Sequence, residues 1–460
     1  MPTIEVSKND LERLVGKKLP DNALEELLIL AKGELGGRKG DLLKIECKDT
    51  NRPDLWSAEG IARILRGHFE LETGIPKYKA AKSKYVLCID NSVSKIRPCM
   101  VACIVKNLKL NENTLAQMIQ LQEKLAVTYG RKRREAAVGI FSFEKLKPPF
   151  VYKAVEDKAV SFVPLGFKKE MHPSQILKEH PKGKEYGHLL TKGKYPILMD
   201  SKGQVCSMPP IINSELTGKV TENTKSVLVE VSGYRIERIS LALNVMAAAL
   251  VARGGKIESV TSILPSGRKI TSPSFEEMEF SISADNVRKF LGMPLSNEEI
   301  VHLLERQRYD ARASGKRIIA RYLSCRDDVM HERDLIEDIA IAFGYNEIEP
   351  EIPRIFTIGK ADDREVFAEG LKEAMIGLGF QEIMAFILTN KDNQFRKMHM
   401  NGESAEISNP VSDNWNCLRS WLLPSALEFL SKNKHAEYPQ KIFEIGDCVI
   451  LDDRAETQTR

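Results

Sequence analysis

The chain has 460 residues, with 68 Lys and Arg against 64 Asp and Glu, for a net charge of +4. At ~150 residues per domain this length predicts about three domains, and 42% hydrophobic with 29% charged residues excludes a disordered or fibrous chain. No run of roughly 18 apolar residues predicts a membrane helix, and the polar start has no signal-peptide hydrophobic region, so no membrane partner is expected. The eight cysteines (47, 88, 99, 103, 206, 325, 417 and 448) form no CxxC pair, which predicts a reducing, cytoplasmic setting without disulfides or structural zinc.

In chain order, Thr3–Val6 alternates as a strand, Ser7 caps a helix over Asp10–Val15, and a second helix follows at Ala23–Lys32. A strand at Leu42–Cys47 runs into the turn residues Lys48–Trp56, with Pro53 fixing the entry to a helix over Ser57–Phe69. Lys77–Lys84 reads as a linker. From Tyr85 to Val260 strands dominate: Tyr85–Ile89, Cys99–Val105, Ala136–Phe141, Phe150–Ala154, Pro196–Asp200, Gln204–Ser207 and Ser226–Ser232. The helices Asn113–Tyr129 and Ile239–Arg253 accompany them, the second stopped by Gly254-Gly255, and Pro164–His188 reads as a polar excursion. The composition of this stretch predicts α+β, a sheet with helices against it.

Phe275–Asn346 predicts a small helix–sheet module. It comprises the strand Met278–Ile282, the helix Ala284–Leu291, a Ser296/Glu299 capping box opening Asn297–Gln307, and the paired strands Tyr309–Ala313 and Arg317–Tyr322. From Pro350 a further domain holds a helix at Asp363–Leu378, strands at Glu382–Leu388 and Lys441–Val449, and a helix at Ser425–Lys434.

Three stretches carry chemistry. In Arg326–Gly344, apolar residues at helical spacing predict a helix from about His331, with Asp334, Glu337 and Asp338 on one face and Asp328 just ahead. Converging carboxylates suit Mg²⁺; an acidic first turn complementing the helix dipole and paired with Arg326 and Arg333 fits the same spacing. His331 beside them reads as structural. In Leu198–Ser232, two strands and a loop bring Ser207, Asn213, Thr217, Glu230 and Ser232 within reach of one pocket walled by Met208–Ile212, fit for a small polar-ended ligand or for an ordinary strand surface. Basic clusters at Arg131–Arg134 and across Lys178–Lys194 suit phosphate or plain solvation. No Walker loop, nucleophile elbow or HExxH is present.

Taken together, the chain resembles the β subunit of phenylalanyl-tRNA synthetase in its archaeal and eukaryotic form. The resemblance is carried by Lys48–Trp56, Gln117–Glu123, Glu185–His188, Ser207–Asn213, Arg326–His331, Asp334–Asp338, Phe343-Gly-Tyr345, Tyr438-Pro-Gln440 and Phe443–Gly446. It implies one subunit of an α2β2 ligase that charges tRNA(Phe) using ATP and Mg²⁺, with the chemistry in the α subunit. It further implies an N-terminal α+β domain (1–76), a B3/B4-like editing domain (85–260), a B5-like module (275–346) and a class II synthetase-like antiparallel-sheet domain without an active site (350–460). Family members continue beyond Arg460, so that sheet is expected to be incomplete.

The resemblance makes Asp328, Asp334, Glu337 and Asp338 the Mg²⁺ ligands, and Leu198, Ser207, Glu230 and Ser232 an editing pocket that clears tyrosine from tRNA(Phe). Asn213 joins that pocket by its place in the loop. Where the family reads Asp-Val-Thr-Gly this chain has Glu230-Val-Ser-Gly233, which lengthens the carboxylate arm by one methylene. Asn433-Lys-His435 lacks the arginine needed to clamp ATP, so residues 350–460 are expected to pack on the α subunit. A free-standing hydrolase of mischarged tRNA and a non-enzymatic RNA-binding scaffold remain as alternatives.

Overall fold

Ser7 ends the first strand, β1 (Thr3–Ser7), and its hydroxyl accepts from the Asp10 amide at 3.2 Å, opening α1 (Lys8–Val15). The computed structural model describes residues 2–190, 193–353 and 355–460, and it divides into two units, Met1–Pro350 and Glu351–Arg460. In the first unit α2 (Leu24–Leu30), β2 (Gly33–Lys39) and β3 (Leu42–Cys47) follow, giving a small antiparallel sheet ordered β1-β3-β2. β2 escapes prediction because its three glycines erase any alternation; the ladder with β3 holds it in place. Ser57 then caps α3 (Ala58–His68) through the Gly60 amide at 3.1 Å.

A ten-stranded sheet forms the centre of the unit. Its strands are β4 (Ala80–Ile89), β5 (Cys99–Lys106), β6 (Ala136–Ser142), β7 (Phe150–Val155), β8 (Tyr195–Met199), β9 (Val205–Met208), β10 (Ile212–Asn213), β11 (Val227–Gly233), β12 (Lys256–Ile263) and β13 (Lys269–Ser272). They lie in the order β10-β9-β8-β7-β4-β12-β5-β11-β6, with β13 beside β12. β4 begins inside the stretch expected to be a linker, because Ala80 and Ala81 pair in parallel with Ile257 and Glu258 of β12. That partner is too distant in sequence for local composition to show.

α4 (Glu112–Lys124) ends in a π-helical turn, Leu125–Tyr129. The expected polar excursion instead contains α5 (Pro173–Glu179) and α6 (Pro181–Tyr186), each opened by a proline at its first position. α7 (Glu215–Gly218) is a single turn, and α8 (Ile236–Ala252) is buried along most of its length. Val101, Cys103, Val105, Val227, Val229 and Val231 share one core with α8; Met100, Ala102, Ile104 and Leu228 face a second core with Phe141, Tyr152 and Leu198. Glu230 therefore sits on the face away from α8, in phase with Leu228.

The third part of the unit holds β14 (Glu277–Ser283), α9 (Ala284–Leu291), α10 (Asn297–Arg306), β15 (Asp310–Ser314), β16 (Arg317–Leu323) and α11 (Glu332–Phe343), with the sheet ordered β14-β16-β15. The Ser296–Glu299 capping box closes reciprocally, at 3.1 Å and 2.7 Å. The α+β class expected from the sequence holds.

In the second unit α12 (Asp363–Gly377) and α13 (Leu423–Lys432) form as expected, but the two long strands do not. The first leaves only β17 (Gln381–Glu382) and β18 (Leu388–Thr389) at its two ends and the second only β20 (Ile442–Phe443); β19 (Cys417–Leu418) is not among the expected strands, and the pairs are parallel β17–β20 and antiparallel β18–β19. The expected antiparallel sheet is thus not continuous among the described residues. Register needs a buried face, and here α12 buries no residue while Met384 stands 94% exposed.

Within the first unit, a buried charge cluster joins the N-terminal residues to the β14–α11 module. Arg326 donates to Asp338 at 2.7 Å and also to Asp328; Lys32 reaches Asp338 at 3.1 Å, and the Tyr309 hydroxyl donates to it at 2.7 Å. Arg52, paired with Asp54 at 2.9 Å, lies 3.7 Å from Asp328. Burial alone would raise the Asp338 carboxyl, but Arg326, Lys32 and Arg52 hold it well below the usual carboxylate range. Asp338→Asn removes the carboxylate that Arg326 and Lys32 share, leaving each with a single acid, Asp328 and Asp49, and urea unfolding should show a loss of about 3 kcal/mol.

Candidate functional site

β11 sets Glu230 between Gly139 of β6 and Ala102 of β5. A Cβ on Gly139 would lie 2.5 Å from Glu230 Oε1, so the missing side chain there gives the glutamate its space. β9 places Ser207 opposite Asn213 of β10 and beside Leu198 of β8. Ser207, Asn213 and Glu230 line one cavity of about 180 Å³, walled by Pro209, Pro210 and Ile211. Leu198 and Ser232, expected in the same set, do not line it. Leu198 packs in the core behind, and the Ser232 hydroxyl accepts from Arg97 Nε at 3.0 Å. Thr217 also turns away, donating to the Cys206 carbonyl at 3.3 Å.

Among the residues lining this cavity, Glu230 Oε2, Ser207 Oγ and Arg133 Nε are buried and have no hydrogen-bond partner. An orphaned buried acceptor costs about 1–3 kcal/mol, and a ligand that satisfied it would recover that cost. Burial pushes the Glu230 carboxyl up to about 8, against the opposing charge of Arg97. At neutral pH the group is therefore a neutral acid, able both to donate and to accept.

Sequence reasoning missed Arg133. Arg131, Lys132 and Arg133 take three successive left-handed conformations, φ +48°, +53° and +66°, which β-carbon sterics disfavour. The turn is pinned by Lys132 and Arg133 amides to the Val127 and Ala126 carbonyls, at 2.8 and 2.7 Å. It delivers the Arg133 guanidinium to the cavity, where it donates to Ile211 O (2.9 Å), Pro210 O (3.2 Å) and Glu123 (2.9 Å) and lies 4.4 Å from the Tyr186 ring centroid. A run of four basic residues announces charge; only the turn decides which member faces inward. The second basic cluster, Lys178–Lys194, includes Thr191 and Lys192, which lie outside the described residues.

The four acids of the α11 region are held by three different partners. Asp328 and Asp338 share Arg326, as described above. Asp334 accepts from the Met330 and His331 amides at 2.8 and 2.6 Å, completing a capping box with His331 as N-cap. Glu337 accepts from the Tyr345 hydroxyl at 2.8 Å. Among the described residues no group of three or more His, Cys, Asp and Glu is arranged to hold a metal ion. The residues do not fit the single Mg²⁺ site expected of them: a guanidinium already bridges two of the carboxylates, and a helix cap occupies the third. The eight cysteines are free, and among the described residues no helix is long and apolar enough to cross a membrane.

The family profile described as the tRNA synthetase B5 domain matches residues 280–345, and that of the phenylalanyl tRNA synthetase beta chain CLM domain matches 348–460. Both place the chain among the tRNA synthetases. It is 49% identical to the phenylalanine–tRNA ligase beta subunit of Pyrococcus horikoshii over 465 residues, covering 100% of this chain and 83% of that one. Identity is 38% to the corresponding subunit of Korarchaeum cryptofilum, with the same coverage. The structure matches a crystal structure of an N-terminal fragment of the Pyrococcus horikoshii phenylalanyl-tRNA synthetase beta subunit with a TM-score of 0.72 and 48% identity, over 74% of this chain and 99% of that one. The chain belongs to the phenylalanine–tRNA ligase beta-subunit family.

The raised carboxyl of Glu230 gives this site a pH signature. A folded value near 8 against ~4.3 unfolded means that stability falls as pH rises between the two, because only the unfolded chain has released its proton. Glu230→Gln removes the titration. In parallel urea melts the variant should therefore gain on the parent by about 1.4 kcal/mol per pH unit from pH 5 to 8.

Proposed function

We propose that the Glu230 cavity is an editing site that hydrolyses tyrosine from mischarged tRNA(Phe), in a β subunit whose ligase carries its charging chemistry on the α subunit. What supports this is the pair of orphaned polar atoms, Glu230 Oε2 and Ser207 Oγ, at one apolar-walled cavity. A pocket built for phenylalanine rejects an added hydroxyl by only ~10²-fold, whereas a site that hydrogen-bonds the hydroxyl rejects the analogue lacking it by ~10⁴–10⁵-fold. Phenylalanine would leave Glu230 unpaired; tyrosine would satisfy it. Glu230 accepts the phenolic O–H, Ser207 and Asn213 are left to orient the attacking water, and Leu198 and Ser232 back the strands that carry them. The cavity contains no nucleophile with a base, so water placement is the chemistry its residues can supply.

In this reading the chain comprises an N-terminal domain (1–76), an editing domain (85–260), a B5-like module (275–346) and a non-catalytic synthetase-like domain (350–460). The last has apolar side chains in water: Phe356 is fully exposed, and Met384, Phe386, Val366 and Phe367 are largely so. Exposed large apolar side chains in such number mark an interaction surface, and the α subunit of an α2β2 assembly is the partner we assign to it. Asn433-Lys-His435 offers no bidentate cation for ATP. Magnesium dependence is assigned to the ligase complex as a whole and to no shared site among the four acids. Family membership favours this role over a free-standing hydrolase or an RNA scaffold.

Glu230→Ala in the reconstituted αβ enzyme should leave phenylalanine charging within about twofold while Tyr-tRNA(Phe) accumulates; unchanged deacylation would refute the assignment. Phe386→Asp should abolish co-elution with the α subunit, while a far-UV spectrum equal to the parent's shows the fold intact.

A further inference from the structure

A second cavity, of about 310 Å³, opens where α3, the 72–78 segment, the end of α8 and Arg308 meet. It shares no lining residue with the Glu230 cavity. Its charged lining is four cations, Arg63, Arg66, Lys77 and Arg308, against two carboxylates, Glu59 and Glu72. Those carboxylates are engaged: Glu59 pairs with Arg253, and Glu72 is divided between Arg308 at 2.9 Å and Arg66 at 3.1 Å.

Arg308 is the residue the local structure leaves unexplained. It is 5% exposed, yet its Nε and Nη1 have no hydrogen-bond partner. Its backbone stands at φ +68°, and Gly67 makes way for it, since a Cβ there would lie 3.1 Å from Arg308 Cδ and 2.1 Å from the Arg306 carbonyl. A guanidinium stripped of water with two unanswered nitrogens calls for an anion with several acceptor oxygens.

We propose that this cavity binds a phosphate group carried by a small molecule, with Arg308 as its buried anchor and Arg63 and Lys77 completing the cationic wall. Phosphate fits because a tetrahedral anion can accept from one free Arg308 nitrogen and from the neighbouring Arg63 and Lys77 at once; Nε and Nη1 lie on different edges of the guanidinium, with the Glu72-bound Nη2 between them. A carboxylate has fewer acceptor directions, and a cavity of this size has no room for a run of nucleotides. Its walls come from the N-terminal helices, from the end of α8 and from the β14–α11 module, so a bound phosphate would tie three parts of the unit together.

The test is calorimetric titration of the full chain with inorganic phosphate and with diphosphate at constant ionic strength. Saturable binding of at least one, weakened ~10-fold or more by Arg308→Gln, is the expected result. Lys77→Gln, at an exposed position, should weaken it by a smaller factor with the far-UV spectrum unchanged, which guards against an Arg308 variant that misfolds. Absence of saturable binding, or equal affinity in both variants, overturns the proposal. A short single-stranded RNA that displaces diphosphate, and whose own binding falls in both variants, overturns the small-molecule assignment in favour of a polynucleotide phosphate. None of these outcomes touches the Tyr-tRNA clearance by which the Glu230 site is judged.

Discussion

The first unit depends on one buried guanidinium. Arg326 bridges Asp328 and Asp338, Lys32 and Arg52 bring the N-terminal residues to the same carboxylates, and Tyr309 closes the cluster by hydrogen bond and by lying against Arg326. Buried ion pairs often contribute little net stability, because desolvation offsets attraction. Their value here is geometric: each charge has only one low-energy position, and those positions fix how the module carrying α11 meets the small β1-β3-β2 sheet.

The Glu230 cavity follows the opposite rule. Carbonyls of the end strand β6 accept from the Gln122 and Asn213 side chains and the apolar wall is clamped by Arg133, yet Glu230 Oε2 and Ser207 Oγ are left without partners. Buried atoms without partners occur elsewhere in the chain too, but here a carboxyl and a hydroxyl lie open in one pocket, where a ligand with a polar tip can meet them. The strained Arg131–Arg133 turn belongs to the same economy: local backbone cost is accepted where it aims a side chain at the site. Arg308 repeats the pattern on a different face of the unit, with a cation in place of an acid.

The second unit shows what happens when apolar residues have no covering layer. α12 forms from local propensity and its Asp362 cap, but it buries nothing, and the strands beside it pair over two residues only.

The sequence by itself determined the elements whose signals are local. Ser7, Ser57 and Ser296 marked helix starts, Gly254 marked a helix end, and the alternation at Leu42–Cys47 gave that strand to the residue. It also placed Ser207, Asn213 and Glu230 in one pocket, because they lie on neighbouring strands and a short loop. The tertiary structure decided everything that rests on distant pairing: β4 from Ala80, held by β12; the separate partners of four acids in one region, Arg326 for Asp328 and Asp338, a helix cap for Asp334 and Tyr345 for Glu337; and the inward turn of Arg133. Spacing along a helix fixes which face a carboxylate occupies. It does not say what waits opposite, and opposite Asp338 stands Arg326.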